Sequence, residues 1–474
     1  MLFSSPIFLI FFLPVVLVVA FALRRTAWQN VFLLLASLFF YAWGELGYTL
    51  ILLGSMGFNY AFGLLVDRAA GQGTKGWLLA AAMTLNLFVL AGFKYANFIV
   101  DNLNVLLAPM GYGGFAIDPV HLPIGISFFT FQAMTYVVDI YRGDAPVERN
   151  PLRVGLYIAL FPQLIAGPIV RYRTVAAQLV ERHVDVVDVA IGVRRFVVGL
   201  GKKVLIADQL AVAADKIFAL PMASQSPAVA WLGVTCFGLQ VFFDFSGYSD
   251  MAIGIGRMLG FHFPENFNAP YVSRSLQEFW RRWHITLSGW FRDYLYIPLT
   301  SGHTGAARGY GSLFVVFFLC GLWHGANWNF VVWGLVHGAF VGLERTAFGG
   351  LISRAPHFVA RAYTLLVVWV AFVFFRADSL PHALDYLAAM FGNSGAASGA
   401  YPVAMFLELE VLIWLAVGAL FSGAWMPKAR RRLEASLGSA VFGVARVATV
   451  LAVFVASAIV MIAGTNSPFV YFRF

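Results

Sequence analysis

Apolar stretches about as long as a lipid bilayer is thick recur along most of the chain. A transmembrane helix needs roughly 20 mostly apolar residues, and the first stretch, Met1 to Leu23, has this length. Charged residues make up 12% of the chain and hydrophobic residues 60%, whereas soluble domains carry about 25% charged residues. The pattern predicts an all-α, polytopic integral membrane protein with about eleven or twelve membrane helices. The predicted apolar spans are Phe3–Leu23, Asn30–Trp43, Thr49–Val66, Trp77–Phe93, Leu122–Tyr141, Leu156–Val170, Val197–Ala214, Ala228–Phe245, Leu313–Leu343, Thr364–Phe375, Met405–Phe421 and Val441–Ala463.

Glycine and proline interrupt two of these apolar spans. Leu122 to Ser127 reads LPIGIS, and Phe161 to Pro168 reads FPQLIAGP. Irregular backbone at membrane depth is tolerated only where protein or a water-filled cavity satisfies its polar groups. We therefore expect re-entrant segments around a central passage. The whole chain is expected to form one membrane domain, with a core at residues 122–345 and peripheral helices at 1–93 and 364–463.

The formal net charge of +9 is concentrated in short basic clusters between apolar stretches. Loops rich in Lys and Arg stay on the cytoplasmic side of a membrane, and this explains the clusters better than nucleic-acid binding, because they form no continuous basic stripe. Met1 to Leu23 lacks a basic start and a small-residue cleavage site, so we expect a retained helix and not a signal peptide. The clusters are Arg24-Arg25, Arg171 with Arg173, Arg194-Arg195, Lys202-Lys203, Arg281-Arg282, and Lys428 with Arg430, Arg431 and Arg432.

Several common chemistries have no support in the sequence. Cys236 and Cys320 give neither a disulfide framework nor a zinc-ligand spacing. Ser249 has a glycine two residues before it but Met251 two residues after it, so it is not in a nucleophile elbow. No H-E-x-x-H motif and no P-loop occur. We expect no metal and no permanently bound cofactor.

His324 stands inside apolar sequence, in the run Leu319 to Trp328 that reads LCGLWHGANW. An ionisable side chain inside membrane sequence is costly and usually functional. Burial favours the neutral imidazole, which can take a proton from a hydroxyl or thiol during acyl transfer. Cys320, one helical turn earlier, is either a nucleophile or acylation site or, as we prefer, a small apolar residue. His337 lies on a different turn and shows no partner pattern.

His284 lies in a polar and aromatic segment, Ser273 to Pro298. Arg281, Arg282 and Asp293 interrupt a set of aromatic and aliphatic residues spaced as on one helical face. The pattern predicts an amphipathic helix in the membrane interface, with aromatics at headgroup depth and guanidinium groups reaching water or lipid phosphates. His284 is either one more polar residue of that helix or a functional group. The residues on the shared face are Phe279, Trp280, Trp283, Leu287, Trp290 and Phe291.

Asp244 and Asp250 adjoin an apolar span and should face protein, water or a partner. One interpretation is that Asp244 caps or hydrogen-bonds a helix end, and the other is that it lines the passage. Gly254-Ile255-Gly256 is not a dinucleotide fingerprint, because position 259 is Leu and no strand precedes it, so close helix packing explains it better.

The motifs around these residues resemble the membrane-bound O-acyltransferase family, and most of all its bacterial alginate O-acetyltransferase branch. The resemblance covers nearly the whole chain, and FWRRWHITLSGWFRDYLYIPL and LWHGANW are its most specific strings. One departure follows Leu299, where the chain reads Thr300-Ser301-Gly302-His303 and relatives commonly have a Gly-Gly-Asn-Arg-like loop. The matching segments are Met1–Ser5, Leu122–Arg142, Phe161–Arg171, Phe243–Tyr271, Ser275–Leu299, Gly321–Gly334 and Ser467–Phe474.

The resemblance implies two functional histidines, which map onto His284 and His324, the latter being catalytic. His284 would position the donor or stabilise the oxyanion. The resemblance also implies cytoplasmic acetyl-CoA as the donor and a tunnel through the bacterial inner membrane. The acceptor would be a periplasmic acetyltransferase partner that acetylates an exopolysaccharide. Five neighbouring residues are expected to position substrate or line the passage: Gln163, Asp244, Asp250, Trp323 and Asn327.

Two other classes of protein remain open at this point. A transporter would use His324 as a proton relay, and a non-catalytic scaffold of a secretion complex would use the motif only for packing. No internal repeat of the kind found in inverted-repeat transporters is visible. Within the enzyme class, acylation of cellulose or peptidoglycan and D-alanyl transfer to teichoic acid use related proteins.

Overall fold

The structure is a computed structural model and describes residues 1–24, 26–221, 224–301, 306–393, 401–464 and 469. Arg25, the Gly302-His303 part of the divergent loop and most of the C-terminal motif Ser467–Phe474 lie outside the described residues. The chain divides into two compact units, one made of residues 1–196 and 248–264, the other of residues 197–247 and 265–474. The single-domain organisation inferred from sequence stays a prediction.

The first unit is built from helices, most of them joined by short connections, with a longer loop at residues 111–125. Glycine permits close helix contacts inside it: a Cβ on Gly254 would lie 2.7 Å from the carbonyl oxygen of Gly192, as expected for close packing. Its helices are Leu13–Ala22 (preceded by a π-helical turn, Phe8–Phe12), Trp28–Glu45, Thr49–Arg68, Gln72–Lys94, Ala96–Leu107, Ile126–Arg142, Pro151–Ala159, Phe161–Leu164, Tyr172–Val180, most of Val186–Gly201 and the end of Pro227–Met258, with a 3-10 turn at Ala108–Met110.

The second unit holds both histidines singled out by the sequence. It contains the long apolar helices His357–Arg376 and Ser439–Ile462, the first part of a third, Pro227–Met258, and a helical hairpin. Its elements are the π-helical Lys202–Ala207, Asp208–Phe218, the first part of Pro227–Met258, a 3-10 turn at Pro270–Val272, Leu276–Arg282, Ile285–Phe291, the π-helical Arg292–Tyr296, Ile297–Thr300, Ala306–His324, Trp328–Leu343, Ala347–Arg354, His357–Arg376, Leu380–Met390, a 3-10 turn at Val403–Met405, Leu409–Phe421, Met426–Leu437 and Ser439–Ile462.

Among the described residues, 5 helices are long and apolar enough to cross a membrane. These five agree with the predicted class of protein, and the predicted total of eleven or twelve crossings stays a prediction. The five helices are Thr49–Arg68, Gln72–Lys94, Pro227–Met258, His357–Arg376 and Ser439–Ile462, with shorter apolar helices at Phe8–Ala22, Trp328–Leu343 and Leu409–Phe421.

The span predicted at Leu313–Leu343 is wrong, because this segment is a hairpin of two helices, Ala306–His324 and Trp328–Leu343. The first helix ends at His324, and Asn327 begins the second by accepting a hydrogen bond from the backbone N–H of Asn329 (3.0 Å). A Cβ on Gly334 would overlap the carbonyl oxygen of Phe317 in the first helix. Glycine therefore lets the two backbones touch, as small residues do in membrane helix pairs.

The single interfacial helix predicted across Ser273–Pro298 is also wrong. Two seven-residue helices, Leu276–Arg282 and Ile285–Phe291, meet at His284. The aromatic side chains of Phe279 and Trp283 are 1% and 2% exposed, so they pack inside the second unit and do not lie at headgroup depth. Their helical spacing predicted a shared face, but not which surface that face meets.

Candidate active site

His324 is the last residue of the first hairpin helix and is 4% exposed. Its Nδ1 lies 2.7 Å from the backbone carbonyl oxygen of Cys320. A carbonyl oxygen can only accept, so Nδ1 carries the proton in the neutral ring and the lone pair is on Nε2. The helix itself thus sets the tautomer of His324, and Nε2 is the atom able to take a proton.

Aromatic rings surround the His324 imidazole. The ring centroid of Trp333 lies 4.6 Å away, that of Trp323 5.0 Å and that of Phe375 5.6 Å. Electrostatic interactions are stronger where aromatic side chains exclude water. This environment favours a neutral imidazole acting as a general base.

His284 joins the two seven-residue helices in a left-handed backbone conformation, with φ 42°. Such a conformation is uncommon for residues other than glycine and costs about 1–2 kcal/mol. Strained residues concentrate at functional sites, where the surrounding structure holds them in place. His284 is fully buried, so its strained backbone fixes a side chain that has little freedom to move.

Asn266 accepts hydrogen bonds from His284 and from the two residues that follow it. Its backbone oxygen accepts from the N–H of Ile285 (2.9 Å), and its Oδ1 accepts from the N–H and the hydroxyl of Thr286 (3.2 and 2.9 Å). The Nδ1 of His284 lies 3.1 Å from the same Oδ1, so Nδ1 donates and the lone pair of His284 is also on Nε2. His284 lies outside the five membrane-spanning helices, and burial, with a contribution from nearby His324, lowers the pKa of its imidazole well below the ordinary value.

Trp323 contacts both imidazoles, at 6.1 Å from the His284 ring and 5.0 Å from the His324 ring. Phe245 packs edge-on against His284 at 4.6 Å. The structure therefore brings together two predicted histidines that are 40 residues apart in sequence. In the neutral form of both histidines, Nδ1 carries the proton and Nε2 can accept one. Trp323 lies beside each ring.

Asp244 lies within the long helix Pro227–Met258, so the interpretation that it caps a helix end is wrong. The Lys203 ammonium contacts its carboxylate at 3.0 Å and that of Asp208 at 2.5 Å, and all three side chains are buried. Removing the Lys203 ammonium would cost about 3–5 kcal/mol, because two buried carboxylates would lose the cation that they share. Asp244 thus belongs to a buried ionic group. The residue that follows it in sequence, Phe245, contacts His284.

The structure places Asp250 and Gln163 in the first unit. Asp250 pairs with Arg195 at 2.9 Å, and the Nε2 of Gln163 donates to the carbonyl oxygen of Tyr157 at 2.5 Å. Asn327 begins the second hairpin helix, three residues after His324. The roles predicted for these three residues in positioning substrate stay predictions.

The sequence did not single out two residues of the histidine cluster, Asn266 and His337. His337 is fully buried, and its ring lies 5.0 Å from Trp333 and 5.1 Å from Trp280. Neither of its ring nitrogens has a hydrogen-bond partner among the residues that the structure describes. The hairpin explains why this residue was missed: two antiparallel helices bring His337 toward His324 although the sequence places it several turns away.

Within the described ranges, no group of three or more His, Cys, Asp or Glu side chains could hold a metal ion. The arrangement of the site is suited to proton transfer between a buried imidazole and a hydroxyl or thiol. The fold and the site together define an all-α polytopic membrane protein with a pair of buried histidines.

Comparison with known proteins names the family. Residues 148–376 match the model of the membrane-bound O-acyltransferase family. A probable alginate O-acetylase AlgI of Pseudomonas putida is 41% identical over 494 residues, covering 100% of both chains. A peptidoglycan O-acetyltransferase of Helicobacter pylori is 36% identical over 83% of this chain and 80% of its own. A teichoic acid D-alanyltransferase of Bacillus subtilis is 32% identical over 45% and 56%.

The chain belongs to the membrane-bound O-acyltransferase family and is an O-acyltransferase. The resemblance noted in the sequence is confirmed, and the transporter and scaffold alternatives lose their support. The matched region of the family model contains both His284 and His324.

Proposed function

We propose that the protein transfers an acetyl group from cytoplasmic acetyl-CoA, across the bacterial inner membrane, to a hydroxyl group of a periplasmic acceptor. The observation that carries this proposal is the tautomer of His324: its Nδ1–H is held by the Cys320 carbonyl (2.7 Å), which leaves the Nε2 lone pair inside an aromatic, buried site. A base of this kind suits deprotonation of a hydroxyl, whose oxygen must become nucleophilic.

The chemical step has a simple proton balance. The acceptor oxygen attacks the thioester carbonyl carbon while its proton passes to Nε2 of His324. The carbon–sulfur bond then breaks, and the leaving thiolate takes that proton back from the imidazolium. His284, whose Nδ1–H is committed to Asn266, presents an acceptor at Nε2. In this tautomer it orients a hydroxyl and does not donate to an oxyanion, which departs from one role that the resemblance implied.

The names of the relatives support an exopolysaccharide as the final acceptor. The full-length relative in Pseudomonas putida is a probable alginate O-acetylase, and the one in Helicobacter pylori is a peptidoglycan O-acetyltransferase. Both names describe O-acetylation of a polymer that contains sugars. On this proposal the immediate acceptor is a periplasmic acetyltransferase partner, which passes the acetyl group to an alginate-like polymer.

The test measures release of CoA thiol from acetyl-CoA by the purified protein in lipid, with and without the partner. His324→Ala should lower the rate roughly 100- to 10,000-fold, the range of a lost general base. His183→Ala is the matched control, because His183 is 92% exposed and belongs to the first unit. A His324→Ala protein as active as wild type would remove the base from the mechanism. Wild-type protein that releases no thiol even with the partner would reject acetyl-CoA as the donor.

A further inference from the structure

A cavity of about 640 Å³ in the second unit is lined by three arginines, Arg274, Arg281 and Arg282. Small-molecule sites commonly measure about 300–1,000 Å³, so the cavity is large enough for a ligand. Its carboxylates are Glu278 and Glu344. The proposed mechanism uses none of these five residues.

Both carboxylates of the cavity are already committed to groups of the protein. Glu344 accepts from the backbone N–H groups of Leu276 and Gln277 at 2.6 and 3.0 Å. Glu278 pairs with Arg282 at 2.9 Å and also accepts from the backbone N–H of Arg274. The Glu344 carboxylate therefore caps the start of the helix Leu276–Arg282, and the Glu278 carboxylate neutralises Arg282.

The other two arginines have no carboxylate partner within the described part of the chain. Nη1 of Arg274 donates to Nε2 of His357 at 2.8 Å, and Nε of Arg281 donates to the carbonyl oxygen of Gln277 at 3.1 Å. Each guanidinium keeps further N–H donors in its planar fork. The cavity thus presents two guanidinium groups whose charge is not compensated, which favours an anionic ligand.

The position of the cavity relates it to the histidines. Its arginines lie on or beside the helix Leu276–Arg282, and the same helix carries Trp280 against His337 at 5.1 Å. Trp333 lies 5.0 Å from His337 and 4.6 Å from His324. A chain of ring contacts through Trp280, His337 and Trp333 therefore links the helix that carries the arginines to His324.

We propose that this cavity binds the phosphate groups of a ligand through Arg274 and Arg281. Guanidinium forks match phosphate oxygens in pairs of parallel hydrogen bonds. Two sources carry this chemistry at a membrane: the nucleotide end of a CoA thioester, and a phospholipid headgroup. The first source rests on the proposed function, because it requires acetyl-CoA as the donor. The ring contacts that link this helix to the histidine cluster suit a ligand with phosphates at one end and a thioester at the other.

The test compares Arg274→Gln, Arg281→Gln and the double variant with wild type, using acetyl-CoA and acetyl-pantetheine, which lacks the nucleotide. For a donor nucleotide, the double variant should raise KM for acetyl-CoA roughly 10- to 100-fold, with kcat within about twofold. KM for acetyl-pantetheine should not change. Arg430→Gln, an exposed arginine on Met426–Leu437, is the matched control.

The lipid source is tested in vesicles of phosphatidylcholine with and without phosphatidylglycerol. If the cavity holds a headgroup, phosphatidylglycerol should raise wild-type activity equally with both donors, and the double variant should lose that response. Binding of adenosine 3′,5′-bisphosphate is measured by its effect on thermal unfolding and needs no turnover. It therefore distinguishes failure of the proposal that acetyl-CoA is the donor from failure of the proposal that the cavity binds phosphate. The proposal is overturned if the double variant matches Arg430→Gln in KM, lipid response and bisphosphate binding.

Discussion

The hydrogen bond from His324 to the Cys320 carbonyl decides where a proton can go in this site. Because Nδ1 is held within the same helix at 2.7 Å, the accepting nitrogen points away from that backbone. The same logic applies to His284, which is oriented by a side chain, the Oδ1 of Asn266. One tautomer is therefore set by local helix geometry and the other by a residue 18 positions earlier.

Asn266→Ala should therefore impair the site without touching either histidine. The substitution leaves the buried N–H groups of His284 and Thr286 without their acceptor, each at a cost of about 1–3 kcal/mol. We expect the rate of thiol release to fall roughly 10- to 100-fold. Thr286→Val is the matched control: it removes one hydroxyl bond and keeps the bond from His284, so less than about a fivefold loss is expected. Equal losses in the two variants would contradict the assigned role of Asn266.

Burial cost identified His324 from the sequence, since few imidazoles stand inside apolar runs. Asn266 could not be found in the same way, and His337, which also stands in an apolar run, received no role because its spacing shows no partner. Asn266 reaches the site because its loop folds back onto His284. His337 reaches the site because the two hairpin helices pack against each other. Both arrangements are tertiary contacts, which neither residue spacing nor hydropathy predicts.

At the scale of elements, hydropathy predicted the positions of the apolar helices more accurately than the residues at which they begin and end. Leu313–Leu343 reads as one span because only three residues, 325–327, separate its two helices. The Gly325 and Asn327 of that turn are turn-forming residues, but hydropathy averaged over a window does not register them. The break at His284 is hidden more completely, because a left-handed histidine has no sequence signature.

Gly334→Ala tests whether the hairpin positions His324. The new methyl group would overlap the Phe317 carbonyl oxygen of the facing helix, so the helices must separate, at a cost of about 1–3 kcal/mol. We expect a lower thermal unfolding midpoint and a reduced rate of thiol release. Gly311→Ala lies in the first hairpin helix with nothing within 4 Å of its added Cβ, and it should leave both unchanged. Comparable losses in both variants would show that helix contact is not the cause.

For the molecule as a whole, composition was sufficient to predict the class. A chain with 12% charged residues has too little polar surface for a soluble protein of 474 residues. Composition does not show how the few buried charges are compensated. Lys203 pairs with both Asp208 and Asp244 inside the second unit, although Lys203 reads in sequence as part of a basic cluster. Pairing over 41 positions, from Lys203 to Asp244, is decided by packing.

The orientation of the chain in the membrane can be tested with two cysteines in the first unit. Ala70 is exposed in the turn between Thr49–Arg68 and Gln72–Lys94, beside Arg68 and Lys75. Asp118 is exposed in a loop that contains no Lys or Arg and is tied by Val120 to Asn97, near the far end of the second helix. Because each helix is long enough to cross a bilayer, the two positions should lie on opposite sides, with Ala70 in the cytoplasm.

An impermeant maleimide added to spheroplasts should label Asp118→Cys and not Ala70→Cys, and inverted vesicles should give the reverse. The native thiols contribute little background, because Cys236 and Cys320 are both buried. Labelling of both variants from one side would show that these helices do not span the membrane. Labelling of Ala70→Cys from outside would invert the topology and place the basic turn in the periplasm, against the direction in which Lys and Arg orient membrane helices.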